Sequence, residues 1–134
     1  MNLVELSALE IARKVKAREV SAVDVLDAHL KHIDEVDGRP GAIGGDPTSE
    51  AEKVHAFITL TSERARKQAS AVDASIAAGI DPGRLAGVPV TIKDIFCVEG
   101  TPSTAASKIL ANFVAPYTAT SVDRLEESGA VILG

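Results

Sequence analysis

At 134 residues the chain is long enough for one domain burying roughly two-thirds of its unfolded surface, and its residues are 46% apolar but only 3% aromatic. A formal charge of −5, spread along the sequence, leaves no basic surface for a phosphate backbone, so direct nucleic-acid binding is disfavoured. The single cysteine, Cys97, excludes an internal disulfide and a multi-cysteine zinc site, and its apolar neighbours suggest a buried structural thiol.

Residues 1–9 include Glu5 and show no basic stretch ahead of an apolar one, which argues against a signal peptide. No apolar run approaches the ~20 residues that span a bilayer, so a soluble, cytoplasmic protein is expected. Ser7-Ala8-Leu9-Glu10 carries the capping-box pattern and predicts a helix over about 8–17. Ser21-Ala22-Val23-Asp24 repeats it with a shorter acid, and Val23, Leu26, Leu30 and Ile33 fall on one face of the helix that follows. Residues 1–37 thus read as a helical pair. Residues 38–53, rich in glycine and without periodicity, read as a flexible connection. Gly44-Gly45 within it precedes no helix and is not read as a phosphate loop.

Residues 54–134 read as the start of an α/β domain, cut short at its C-terminal end. Ala56-Phe57-Ile58-Thr59-Leu60 is a strand candidate, and a helix is expected over about 62–78, with Ala65, Ala69, Val72 and Ile76 as its buried stripe and Gly79 as its stop. A strand over 88–92 follows, then a helix over 120–128 stopped by Gly129, and a strand over 130–133. Strands alternating with helices predict an α/β layer fold, its helices packed on a mixed, partly parallel sheet.

Alternation along the strand puts Val88, Val90 and Ile92 on a core face and Pro89, Thr91 and Lys93 on the other. Lys93 then sits at the strand's carboxyl end, where α/β sheets place ligands. A lysine acts as a base at neutral pH only when burial or nearby cations favour its neutral form. Spacing alone reads Lys93 as an exposed strand end, and Asp94 as a turn-forming residue.

The run Leu85-Ala86-Gly87-Val88-Pro89-Val90-Thr91-Ile92-Lys93-Asp94 resembles the lysine-bearing strand of the amidase signature family. Ala106-Ser107-Lys108-Ile109-Leu110-Ala111-Asn112-Phe113, Pro116-Tyr117 and Ala119-Thr120 are similar, more narrowly, to the A-type subunits of tRNA-dependent amidotransferases. The resemblance implies hydrolysis of an amide by a Ser, cis-Ser, Lys triad with Lys93 as its base and Asp94 as a supporting group that orients the lysine loop by accepting amides. In the narrower group the amide is that of glutamine. The ammonia is used for Gln-tRNA or Asn-tRNA formation in a complex with B- and C-type subunits, whose own site uses ATP and Mg²⁺. This chain would itself bind no cofactor or metal.

Departures from the pattern are Ala105 in place of a frequent cysteine and Thr118 in place of an aspartate. The glycine- and serine-rich segment with both catalytic serines belongs after the strand at 130–133. The chain is therefore expected to be an N-terminal fragment, inactive alone, with an apolar sheet edge exposed. Ser103, Ser107 and Ser121 are poor substitutes, because no glycine-rich turn follows them to supply oxyanion donors. Ser107 is read instead as a hydroxyl that caps a short helix toward Leu110 or bonds a nearby backbone group. His29 and His32, three apart on a helix, lack further metal ligands and are assigned to its surface, and His55 has no patterned partner. Two other readings stand beside the glutaminase: a general amidase of small carboxamides, and a non-catalytic α/β interaction module.

Overall fold

A computed structural model of the protein describes residues 1–38 and 51–134. Helix α1 spans Ala8–Lys16, α2 Ala22–Val36, α3 Ser62–Ala77 and α4 Thr120–Glu127, and the strands are β1, Pro89–Val90, and β2, Val131–Ile132. The connection expected over 38–53 lies, for residues 39–50 with Gly44 and Gly45, outside the described residues.

Both capping boxes form. The Ser7 hydroxyl accepts the Glu10 amide at the start of α1, and the Ser21 hydroxyl accepts that of Asp24 at the start of α2. The α2 start gains a second partner that no local pattern announces. Asp73, on α3, accepts the amides of Ala22 at 2.7 Å and Val23 at 3.2 Å. Free amides at a helix start favour a carboxylate, and the Ala22 amide belongs to a fully buried residue. Asp73→Ala strands these donors and is expected to destabilise the fold by about 1–3 kcal/mol. A urea midpoint unchanged by the substitution would refute that role.

The two strands pair in parallel, Pro89 with Val131 and Val90 with Ile132. Adjoining bonds extend the contact, with the Ile92 amide donating to the Gly134 carbonyl at 2.8 Å. β2 is buried on both faces. Val131 and Leu133 join a core formed by Ile11 and Val15 of α1, Val25 and Leu26 of α2, and Ala65, Ala69 and Val72 of α3. Ile132 turns to a second core with Val98 and with Val122 of α4. Helices thus cover both sides of a parallel pair, the α/β arrangement expected. Among the described residues the one isolated β-bridge outside these strands is antiparallel, between Pro102 and Val114.

Three expectations are corrected. Residues 56–60 form no strand. The Asp37 carboxylate, itself buried, takes the Ala56 and Phe57 amides, and the segment then runs past the end of β2 until the Thr61 amide meets the Leu133 carbonyl at 2.8 Å. Val88, Val90 and Ile92 do not share one core face. Regular strand geometry lasts only for Pro89–Val90, so Val88 packs on the first core, Ile92 on the second, and Val90 touches both. Nor is the outer edge of β2 open. The Ile132 amide donates to Gln68 Oε1 at 2.8 Å, and the Thr61 hydroxyl donates to the Ile132 carbonyl at 3.1 Å. Gln68 is held in turn by Glu126, which also accepts Arg64 Nη2 at 2.7 Å. Side chains of α3 and its N-cap residue take the place of a neighbouring strand.

Candidate active site

The parallel pair delivers its carboxyl ends to one cleft of about 530 Å³. One wall is the segment ahead of α3, with Phe57, Thr59 and Thr61. The other is Thr91, Lys93, Asp94 and Phe96, and Ile132 and Gly134 lie at the base of the strands. Lys93 ends the extended run from β1 and opens a turn closed by the Phe96 amide on the Lys93 carbonyl at 2.9 Å. Its side chain is exposed. Among the described residues no group forms a hydrogen bond or ion pair with its ammonium. Its Nζ stands at the mouth of a largely apolar cleft, open to a hydroxyl brought to it.

Asp94 turns the other way. Its Oδ1 accepts the Thr104 amide at 3.0 Å, its Oδ2 accepts the Thr104 hydroxyl, and its own carbonyl accepts the Ala105 amide at 3.0 Å. The carboxylate does accept a backbone amide, but it is bound to a loop ten residues on and not to its neighbour Lys93. Thr104 was invisible to sequence reasoning because nothing in the spacing links it to Asp94. Phe57, Thr59 and Phe96 were likewise missed as cleft walls, since the first two come from a segment read as a strand.

No serine lines the cleft among the described residues. Ser103 is buried with its amide on the Phe113 carbonyl at 3.1 Å, and Ser121 is exposed on α4. Ser107 precedes the short 3-10 turn Lys108–Leu110, but its side chain makes no capping bond, which corrects the expected role; the turn is closed by the backbone, Leu110 amide to Ser107 carbonyl.

Cys97 is half-buried, not buried as expected, and lies beside the exposed Tyr117. A hydrogen bond with Cys97, then the charge of the thiolate form and slight desolvation, raises the Tyr117 phenol above its ordinary pKa. Among the described residues no cluster of three or more His, Cys, Asp or Glu is placed to hold a metal ion. The His29 ring lies against the Val25 carbonyl, Nδ1 to oxygen 2.8 Å, while His32 is exposed. No helix among the described residues is long and apolar enough to cross a membrane.

The chain is 45% identical, over all 134 residues, to the A-type subunit of the Glutamyl-tRNA(Gln) amidotransferase of Carboxydothermus hydrogenoformans, of which it covers 25%. It is also 45% identical over 134 residues to the corresponding protein of Streptomyces avermitilis, covering 24% of it. The chain therefore spans about a quarter of the length of these relatives. Among solved structures it resembles a chain from a vestigial protein complex bearing on the evolutionary origins of an s-triazine catabolic enzyme. The TM-score is 0.81 at 34% identity, over 96% of this chain and 25% of that one. A peptide amidase in complex with chymostatin superposes with a TM-score of 0.79 at 25% identity, over 100% of this chain and 25% of that one. The Amidase family model matches residues 48–134, the stretch that holds both strands, the cleft and Lys93, and the chain belongs to that family.

Proposed function

We propose that this chain is the lysine-bearing N-terminal part of the glutamine-hydrolysing subunit of a tRNA-dependent amidotransferase. The observation that carries the reading is Lys93, just past the carboxyl end of a parallel strand and lining an open cleft, in a chain 45% identical to the A-type subunit of a Glutamyl-tRNA(Gln) amidotransferase. In this reading Lys93 is the terminal base of the triad. It takes a proton, through a bridging serine, from a second serine that attacks the glutamine carboxamide carbon. On collapse of the tetrahedral intermediate that proton passes to the leaving nitrogen, which departs as ammonia, and water, deprotonated by the same relay, then releases glutamate from the acyl-enzyme and restores the serine. Both serines come from outside the described cleft. B- and C-type subunits would receive the ammonia at a site that activates Glu-tRNA or Asp-tRNA with ATP and Mg²⁺.

The test is hydrolysis by the full-length protein assembled with its partners. Glutamate and ammonia are expected in equal amounts from glutamine, with glutamine preferred over simple carboxamides such as propionamide, and with no hydrolysis by the 134-residue chain alone. Equal use of propionamide would make the protein a general amidase. No amide hydrolysis by the full-length assembly would make it an interaction module.

A further inference from the structure

We infer that Thr104 is a positioning residue for Lys93, acting through Asp94; the inference rests on the reading of Lys93 as the base. Lys93 is exposed and has no side-chain partner among the described residues, so its position is set by the backbone turn that carries it. That turn, 93–96, is closed internally by one bond, Phe96 amide to Lys93 carbonyl. Beyond the Ile92 amide on the Gly134 carbonyl just ahead of it, what fixes the turn to the rest of the fold is Asp94.

Three bonds from two consecutive residues hold Asp94 in place. The Thr104 amide and hydroxyl take the two carboxylate oxygens, one each, and the Ala105 amide takes the backbone carbonyl. Thr104 is only 2% exposed, so its hydroxyl is withdrawn from water and committed to this contact. The loop behind it is anchored too. Gly100 donates to the Ala115 carbonyl, Ala115 to the Thr101 carbonyl and Ser103 to the Phe113 carbonyl, at 2.9, 3.0 and 3.1 Å.

The conformation of the next two residues points the same way. Ala105 and Ala106 both lie in the left-handed region, φ 48° and 55°, which is unfavourable for residues bearing a Cβ. Such strain persists where surrounding contacts over-determine the backbone, and it clusters at functional sites. One of these two residues, Ala105, also donates its amide to the Asp94 carbonyl. A reacting group misplaced by a fraction of an ångström loses rate far more than binding. The clamp therefore serves the geometry of proton transfer at Lys93 and leaves substrate affinity alone.

The test uses the full-length assembly and glutamine hydrolysis. Thr104→Val keeps the shape and removes the donor. It is expected to lower kcat about tenfold or more with KM within about twofold, while Thr104→Ser restores most of kcat. Asp94→Asn is expected to lower kcat similarly, and the double variant should lose no more than the worse single one. A Thr104→Val enzyme with kcat within about twofold of the parent overturns the proposal, as do a failure of Thr104→Ser to rescue and fully additive losses with Asp94→Asn. Should Thr104→Val not fold, Thr104→Ser and Asp94→Asn decide: a Ser variant as impaired as Asp94→Asn overturns it. Lys93→Ala in the same assay separates the two readings. Activity retained there removes the base itself, whereas activity lost there with Thr104→Val at parental kcat removes only the role of Thr104.

Discussion

Replacing Lys93 by alanine in the full-length protein is expected to lower glutamine hydrolysis by about 10²- to 10⁴-fold, the span that a positioned general base contributes. The side chain is exposed at the cleft mouth and makes no hydrogen bond or ion pair among the described residues, so its removal disturbs no packing. The loss should therefore fall on kcat, with the thermal midpoint unchanged. Lys93→Arg is the sharper version. It keeps a long basic side chain but stays protonated and cannot accept a proton, so it should be nearly as inactive as alanine. Ammonia release by either variant at a rate near the parent's would rule out Lys93 as the base.

A large effect on stability is expected at Gly129, where α4 turns into β2. Its φ is +88°, and a Cβ there would sit 2.5 Å from the Pro82 carbonyl oxygen and 3.2 Å from the Ala86 Cα. Neither is the end of a flexible side chain that can swing away. The turn also interlocks with the approach to β1, since Leu85 donates to the Ser128 carbonyl at 2.7 Å and Gly87 to the Gly129 carbonyl at 2.9 Å. Gly129→Ala must break these bonds or shift β2, and is expected to destabilise by about 3 kcal/mol or more. Gly79, with φ +74° and nothing within 4 Å of its missing Cβ, isolates the conformational part. Gly79→Ala should lose only about 1–2 kcal/mol. Equal urea midpoints for the two variants would show that the close approach to Pro82 has no energetic weight.

Much of the local structure was legible because its causes are local. Ser7 with Glu10 and Ser21 with Asp24 start α1 and α2 as read, since a capping box needs only residues three apart. Gly79 and Gly129 follow the ends of α3 and α4 with positive φ, as a left-handed stop requires. The stripe of Ala65, Ala69 and Val72 is buried because helical periodicity fixes which residues share a face. The segment 56–60 misled for a matching reason. Its apolar content suits a strand, but a strand exists only if a neighbour offers a ladder, and here Asp37 and Leu133 took the amides at its two ends instead.

For the candidate site, the sequence by itself determined that Lys93 would end an apolar strand, and the residues around it carried the resemblance to amidases. Only the tertiary structure decided that the strand runs parallel to β2, that both carboxyl ends open on one cleft, and that Asp94 is gripped by Thr104. It also decided which side chains, Gln68 and Thr61, close the edge of β2, and that Asp73 completes the α2 start. The physical reason is the same throughout. Backbone periodicity and caps are written within a few residues, whereas a buried donor or carboxylate takes whatever partner the packed chain brings near, from ten residues away to more than sixty.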